Sequence, residues 1–215
     1  GVSGLVCDAR PSPDQRFLCV TRLVFSPIVA STQYHASRIE EVWRLDDTIG
    51  RPVLLASLIL DHAQWLPATD SHLIGLLQAT THAHSSVTNT VATYKAPFLD
   101  PPITLFVSTP SLVTSLGCTT RGRPLLFHAA GVTAVEPDTA LGEGDITPPK
   151  TVSIPLHSGQ SLASTEAQSG IRPIELDGSL FIVTEPATGH TATRIVRLNL
   201  AGSESAVLLP ATAMD

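Results

Sequence analysis

The sequence predicts an all-β chain, an antiparallel β-sandwich of about eight main strands with one or two short helices in loops. Three observations lead to this prediction. Short apolar or alternating segments recur roughly every ten residues, which is the spacing of strands in a sandwich. Turn-forming residues separate these segments, since the 215-residue chain contains 17 prolines and 14 glycines. The stretch 178–202 also has the pattern of two strands joined by a proline- and threonine-rich connection.

That C-terminal stretch is the clearest part of the pattern. Residues 180–183 are a short apolar run with β-branched members, which indicates a buried strand. After the connection, apolar residues at 196, 198 and 200 alternate with Arg197 and Asn199. One face of the second strand is therefore expected to be apolar and the other polar.

The N-terminal half begins with residues 1–16, which are expected to form an irregular arm. Two strands follow at 17–25 and 38–45. Glycine and proline within 46–52 predict a turn. The apolar segment 53–60 is either a strand or a buried helix, and periodicity does not decide between them.

The segment 46–102 is an insertion that contains the one predicted helix. In residues 69–79, a Thr-Asp pair that can cap a helix precedes a leucine-rich cluster. Leu73, Leu76 and Leu77 share a face at helical spacing, so a short helix is expected within 69–79.

The C-terminal half adds strands at 103–108, 124–129 and 150–156. The last is expected at a sheet edge, because Pro155 cannot donate a hydrogen bond to a neighbouring strand. Residues 135–149 are predicted to form an acidic loop. The sequence contains no evident internal repeat or linker, so residues 17–215 are expected to form a single domain, at a length that all-β domains often reach.

Composition favours an assembly subunit. Only 15% of the residues are charged, against about 25% in typical soluble domains, so we expect other chains to cover part of the surface. The net charge of -6 argues against a basic nucleic-acid-binding domain. The longest apolar run, 53–60, is shorter than the ~20 residues of a bilayer span, and no membrane partner is expected. Three cysteines without paired spacing indicate a reducing compartment.

No catalytic or cofactor-binding motif is evident, so we expect a protein that is not an enzyme and needs no cofactor. Glu40 and Glu41 are adjacent on a predicted strand and point to opposite faces, which prevents them from acting as an acid–base pair. The cysteines lack a neighbouring histidine or lysine that would activate a thiolate. His82 and His84 could share one side of a strand, but without a third ligand nearby a metal site is not expected.

Three segments in order resemble the coat proteins of tymoviruses and related small icosahedral plant viruses. The segments are 33–44, then 103–114 with 122–131, and finally 152–156 with 179–200. The resemblance implies a jelly-roll β-sandwich that acts as a viral capsid protein and self-assembles into an icosahedral shell around an RNA genome. It also implies a homo-oligomer that can include other capsid chains, located in the virion and, during assembly, in the host cytoplasm.

Such a shell is expected to contact RNA weakly, because RNA phosphates favour lysine and arginine and this chain is acidic. The expected RNA-contacting residues are Arg16, Arg22, Arg121 and Arg123. The alternative is a non-enzymatic cellular β-sandwich module that binds a carbohydrate, a peptide or a partner subunit. Trp65 is its best candidate for stacking on a sugar, although a core or interface position suits this residue better.

Overall fold

The computed structural model describes residues 4–27, 34–45, 50–67, 71–81, 86–136, 151–155, 160–162, 173–186, 194–200 and 205–210. These residues form 17 strands and no helix. Every strand pairing with a defined register is antiparallel. The predicted all-β antiparallel fold class is therefore confirmed. No helix that could span a bilayer occurs within these ranges.

The strands are numbered in chain order. In the N-terminal half they are β1 (Gly4–Pro11), β2 (Phe17–Pro27), β3 (Tyr34–Arg44), β4 (Val53–Leu58), β5 (Asp61–Trp65), β6 (His72–Thr81), β7 (Val87–Lys95) and β8 (Ile103–Thr109). In the C-terminal half they are β9 (Val113–Cys118), β10 (Pro124–His128), β11 (Gly131–Val135), β12 (Thr151–Pro155), β13 (Gln160–Leu162), β14 (Ile174–Leu176), β15 (Ser179–Pro186), β16 (Arg194–Asn199) and β17 (Ser205–Pro210).

The strands form four sheets in which the strand order largely follows the chain. The first sheet is β1-β2-β3-β4, the second β5-β6-β7-β8 and the third β9-β10-β11-β12. The fourth is β13-β15-β16-β17, and β14 also pairs with β15. Because β13 pairs with Thr184–Pro186 and β14 with Ser179–Phe181, these two short strands lie along one edge of β15. Four antiparallel meanders thus succeed one another along the chain.

The chain divides into two compact units. The single domain expected over 17–215 stays a prediction. Unit 1 consists of Gly1–Leu77 and Ala92–Pro102. Its core joins apolar side chains of the first sheet to those of the second, including Cys19 and Val42 on one side and Leu73 on the other. Three aromatic rings meet in this core, those of Phe17, Trp65 and Phe98, with centroids 5.6 to 6.5 Å apart.

Unit 2 consists of Gln78–Val91 and Ile103–Asp215. Its core joins the third sheet to the fourth, because side chains of β10 and β11 pack with those of β15 and β16. The buried members are Leu125, Phe127, Val132, Ala134, Leu180, Ile182, Leu198 and Leu200. Within each unit, therefore, one sheet packs on another, as in a sandwich.

The predicted helix within 69–79 is wrong, because residues 72–81 form strand β6. Leu73, Ile74 and Leu76 are all buried, and Leu77 is exposed. Residues 73–76 are consecutive and all buried, so both faces of the strand are covered in its first half. A strand covered on both faces has a continuous apolar run, which the sequence alone does not distinguish from a buried helix.

Two further expectations need correction. Residues 4–11 of the expected irregular arm form strand β1, which pairs with β2. The jelly-roll order is not seen among the described strands. A jelly roll needs strands that are distant along the chain to lie side by side, whereas here neighbours in a sheet are consecutive or nearly so.

The other predicted strands are confirmed where the structure describes them. Segments 17–25, 38–44, 103–108, 124–128 and 151–155 lie in β2, β3, β8, β10 and β12, and β12 is an edge strand as expected. Segment 53–58 is a strand, which resolves the open alternative. The C-terminal pair is β15 and β16, with Leu180 opposite Leu198. Most of the predicted turn 46–52 and acidic loop 135–149 lies outside the described residues, although Gly50 has the positive φ that a turn requires.

Candidate interaction surface

The part of the chain that the structure describes contains no group of three or more histidine, cysteine, aspartate or glutamate side chains that could hold a metal ion. His82 and His84 lie outside the described residues. Glu40 and Glu41 point to opposite faces of the first sheet, as their adjacency on a strand requires. Each of them takes part in a different polar cluster.

The carboxylate of Glu40 lies at the centre of a buried polar cluster on the inner face of the first sheet. Its Oε2 accepts hydrogen bonds from Arg10 Nη2 at 2.9 Å and from Thr21 Oγ1 at 2.8 Å. Its Oε1 accepts one from Arg38 Nε at 2.8 Å. Arg10 also donates to the carbonyl oxygen of Ala63, which joins the first sheet to β5. Because Arg10 bonds to both Glu40 and Ala63, this cluster holds two sheets together. Both carboxylate oxygens of Glu40 are occupied, so the cluster offers no open site.

Cys19 lies beside this cluster, with its Sγ 3.3 Å from Glu40 Oε2. Burial and the neighbouring negative charge of Glu40 raise the pKa of its thiol to about 12. The thiolate is therefore very rare at neutral pH, and a thiol in that state is a poor nucleophile. Cys19 is a core residue, and it does not supply the nucleophile of an enzyme.

A second buried ion pair lies in unit 2. Arg123 donates from Nε and Nη2 to the two carboxylate oxygens of Glu175, at 3.1 and 2.9 Å, in the bidentate geometry that arginine favours. Thr119 donates its hydroxyl to Glu175 Oε2 at 3.0 Å. The backbone N–H of Thr120 also donates to the carbonyl of Pro173. This cluster fixes the β9–β10 turn to β14.

The structure places the four arginines expected at RNA in different settings. Arg16 lies over the ring of Phe17, and its guanidinium carbon is 5.6 Å from the ring centroid. Arg22 pairs with Glu41 at 3.0 Å. Arg123 is bound to Glu175, whereas Arg121 is exposed at the adjoining turn. Two of the four cations are thus neutralised by a carboxylate, and two belong to each unit.

Trp65 is a core residue. Only 3% of its surface is exposed, its ring contacts Phe17 and Phe98, and its Nε1 donates to the carbonyl oxygen of Arg10 at 2.9 Å. A ring in this position cannot stack on a sugar. The core position that the sequence favoured for this residue is confirmed.

The outer face of the first sheet is the most unusual surface among the described residues. We use this name for the side of the sheet opposite the Glu40 cluster. The strand registers place side chains from all four strands there: Val6, Ala9 and Pro11 of β1, Leu18, Val20, Arg22 and Val24 of β2, Ser37, Ile39, Glu41 and Trp43 of β3, and Leu54 and Ser57 of β4. Eight of these residues are valine, leucine, isoleucine, tryptophan or alanine, and none of the set is fully buried.

This face is apolar although the opposite face of the same sheet already packs on a core. On β2, Phe17, Cys19 and Thr21 point inwards and are buried, while Leu18 and Val20 point outwards. Val6 remains 52% exposed and Leu54 45% exposed. An antiparallel sheet with one solvated face normally has polar residues on that face. A sheet that is apolar on both faces is typical of a sheet packed between two neighbours.

One ion pair interrupts the apolar outer face near its centre. Arg22 Nη2 and Trp43 Nε1 both donate to Glu41 Oε2, at 3.0 and 3.2 Å. The side chains of Arg22 and Glu41 are 28% and 15% exposed. The two formal charges cancel, so the face has no net charge, and the indole N–H has its partner. Arg22 Nε has no hydrogen-bond partner among the described residues, and the surrounding valines and isoleucine are free for contact.

The sequence reasoning missed this surface. The pattern of segment 17–25 predicts a strand, and both faces of that strand are apolar. The nearly continuous hydrophobic run around Thr21 and Arg22 is the signal that could have revealed it. The position of Glu41 beside Arg22 depends on the register of β2 and β3, which only the structure supplies.

Comparisons with known proteins add no family. No protein-family model matches the chain, and no curated protein matches it. The resemblance to tymovirus coat proteins therefore stays a prediction.

Proposed function

We propose that this chain is a non-enzymatic β-sheet module that binds a protein partner through the outer face of its first sheet. One observation supports this proposal above the others: the first sheet is apolar on both faces, and its inner face alone is used by the core of unit 1. Covering apolar surface releases about 25 cal/mol per Å². A second layer on this face would therefore stabilise a complex.

The shape and chemistry of the face favour a protein over a carbohydrate. Valine, leucine and isoleucine on four paired strands form a broad, shallow surface, whereas sugar sites combine exposed aromatic rings with many hydrogen-bonding groups. The indole N–H of Trp43 is already bound to Glu41. A short extended peptide usually adds to a sheet edge, and an apolar face matches the side chains of another sheet.

A subunit of a viral shell remains a second candidate. Its support is the low charged content of the chain, 15%, together with an apolar sheet face suited to contacts between subunits. The chain-order meanders differ from the Greek-key order of a jelly roll. The size of the native complex separates the two candidates, because a shell is a particle of several megadaltons and a module with its partner is far smaller.

The test compares two variants by size-exclusion chromatography of extracts of the source organism that are first treated with a chemical cross-linker, so that a weak complex survives dilution. Val20→Lys places a charge in the middle of the outer face, and Leu99→Lys places the same charge at an apolar residue that is 78% exposed and outside the first sheet. We expect the wild type and the control to elute as a complex and Val20→Lys as a single chain. Elution of the wild type as a single chain would contradict the proposal, and elution at several megadaltons would favour the shell.

A further inference from the structure

We infer that the outer face of the first sheet binds the same face of a second copy of this chain, so that Arg22 of each copy pairs with Glu41 of the other. This inference rests on the proposed function and names the partner. The contact would be isologous, the arrangement of most homodimers, in which one patch meets itself about a two-fold axis.

The charges on this face are complementary to those on the same face of a second copy. The face has one cation and one anion near its centre, 3.0 Å apart. A two-fold axis between them places the cation of one copy over the anion of the other, which makes a ring of four alternating charges. A partner face that placed a like charge opposite Arg22 or Glu41 would cost several kcal/mol.

Sheets in this chain pack on one another through their apolar faces. In unit 1 the inner face of the first sheet packs on the second sheet, and in unit 2 the third packs on the fourth. Packing sheet on sheet is therefore how this chain covers its apolar sheet faces. The outer face of the first sheet is not polar. A second copy supplies a face of the same size and chemistry.

The outer face of the first sheet is small for a dimer interface. At about 3.4 Å per residue and about 4.8 Å per strand, residues 18–24 and their three neighbouring strands cover roughly 20 Å by 19 Å. Two such faces bury roughly 800 Å² in total, less than the ~1,200 Å² of stable complexes. An interface of this size belongs to the weak, transient class, so the measurement covers concentrations from about 1 to about 300 µM.

The test uses charge reversal in the full chain and sedimentation velocity of the purified proteins. Arg22→Glu leaves two anions on the face, and Glu41→Arg leaves two cations. Each variant alone should self-associate at least about tenfold more weakly than the wild type, because like charges then meet across the axis. An equimolar mixture of the two variants should dimerise again, since a doubly negative face then meets a doubly positive one.

Folding is checked for each variant by circular dichroism and thermal unfolding, because Arg22 and Glu41 also pair within the chain. Val24→Ser is a milder second variant that leaves both charges in place, and it should also weaken the dimer. A wild type that stays monomeric across the concentration range would overturn this inference, although a complex with another protein in extracts would still support the proposed function. A dimer that none of the variants weakens, or a mixture that does not dimerise, would overturn it as well.

Discussion

Arg10 donates a hydrogen bond from Nη2 to Oε2 of Glu40 at 2.9 Å, and the Glu40 side chain has no exposed surface. The pair joins β1 to β3 across β2, and Arg10 also reaches the carbonyl of Ala63 on β5. A carboxylate buried to this degree requires partners, since an unpaired buried charge is strongly destabilising. The cluster therefore makes the packing of the first sheet on the second depend on Arg10.

Arg10→Met should lower the free energy of unfolding by about 2–3 kcal/mol. The cost lies below that of a fully buried pair, because Arg10 is 27% exposed and Glu40 keeps its bonds to Arg38 and Thr21. Urea unfolding followed by circular dichroism measures it. Arg16→Met is the matched control and should cost less than about 1 kcal/mol, because Arg16 is an exposed cation over an aromatic ring. Equal costs for the two variants would show that the Glu40 cluster does not stabilise the fold.

A second matched pair of variants replaces Arg123 and Arg121. Arg123→Leu leaves the carboxylate of Glu175 buried, with Thr119 as its remaining partner among the described residues, so it should cost about 2–4 kcal/mol of unfolding free energy. Arg121→Leu changes an exposed side chain and should cost less than about 0.5 kcal/mol. Chemical unfolding of both proteins in one buffer gives the comparison. A large loss for the Arg121 variant, or none for the Arg123 variant, would argue against this ion pair as a structural element.

Stability should fall as the pH drops below about 6.5, through His128. Burial lowers the pKa of His128, and its Nε2 lies 3.0 Å from Thr133 Oγ1. Below its ordinary pKa of 6.5 the unfolded chain binds a proton that the folded chain does not, so acid favours unfolding until the pH falls below the lowered folded pKa. Burial also lowers the pKa of His62, which acts in the same direction.

Unfolding free energies measured at pH 7.5, 6.5 and 5.5 test this dependence. Each such histidine contributes a slope of at most about 1.4 kcal/mol per pH unit. His128→Gln keeps a side chain that can bond to Thr133 and cannot be protonated, so its unfolding free energy should change less over this range than that of the wild type. An unchanged pH dependence in His128→Gln would contradict this origin.

Local patterns in the sequence predicted much of the fold. The alternation in β16 and the apolar run in β15 correctly indicated paired strands, because side chains on a strand alternate between faces. The prediction failed at β6, since a strand covered on both faces loses that alternation. It also failed at β1, because Asp8, Arg10 and Pro11 hid a strand that is held by its pairing with β2.

The four successive meanders were not evident, because strand order and packing repeat here without a repeated sequence motif. Such four-stranded meanders are the repeating unit of several families of repeat proteins, β-propellers among them. The polar clusters were equally hidden. Arg123 and Glu175 lie 52 residues apart, and only the folded chain brings them within hydrogen-bonding distance.

Site-specific photo-cross-linking tests most directly whether the outer face of the first sheet binds a protein. A benzophenone amino acid replaces Ile39 on this face in one version of the chain, and Leu99, exposed but outside the first sheet, in the other. Both versions are irradiated in cells of the source organism, and the adducts are separated by size and identified by mass spectrometry. We expect a discrete protein adduct from position 39, formed with either a second copy or another protein, and no adduct from position 99. Equal adduct yields at the two positions, or no adduct at position 39, would contradict this expectation.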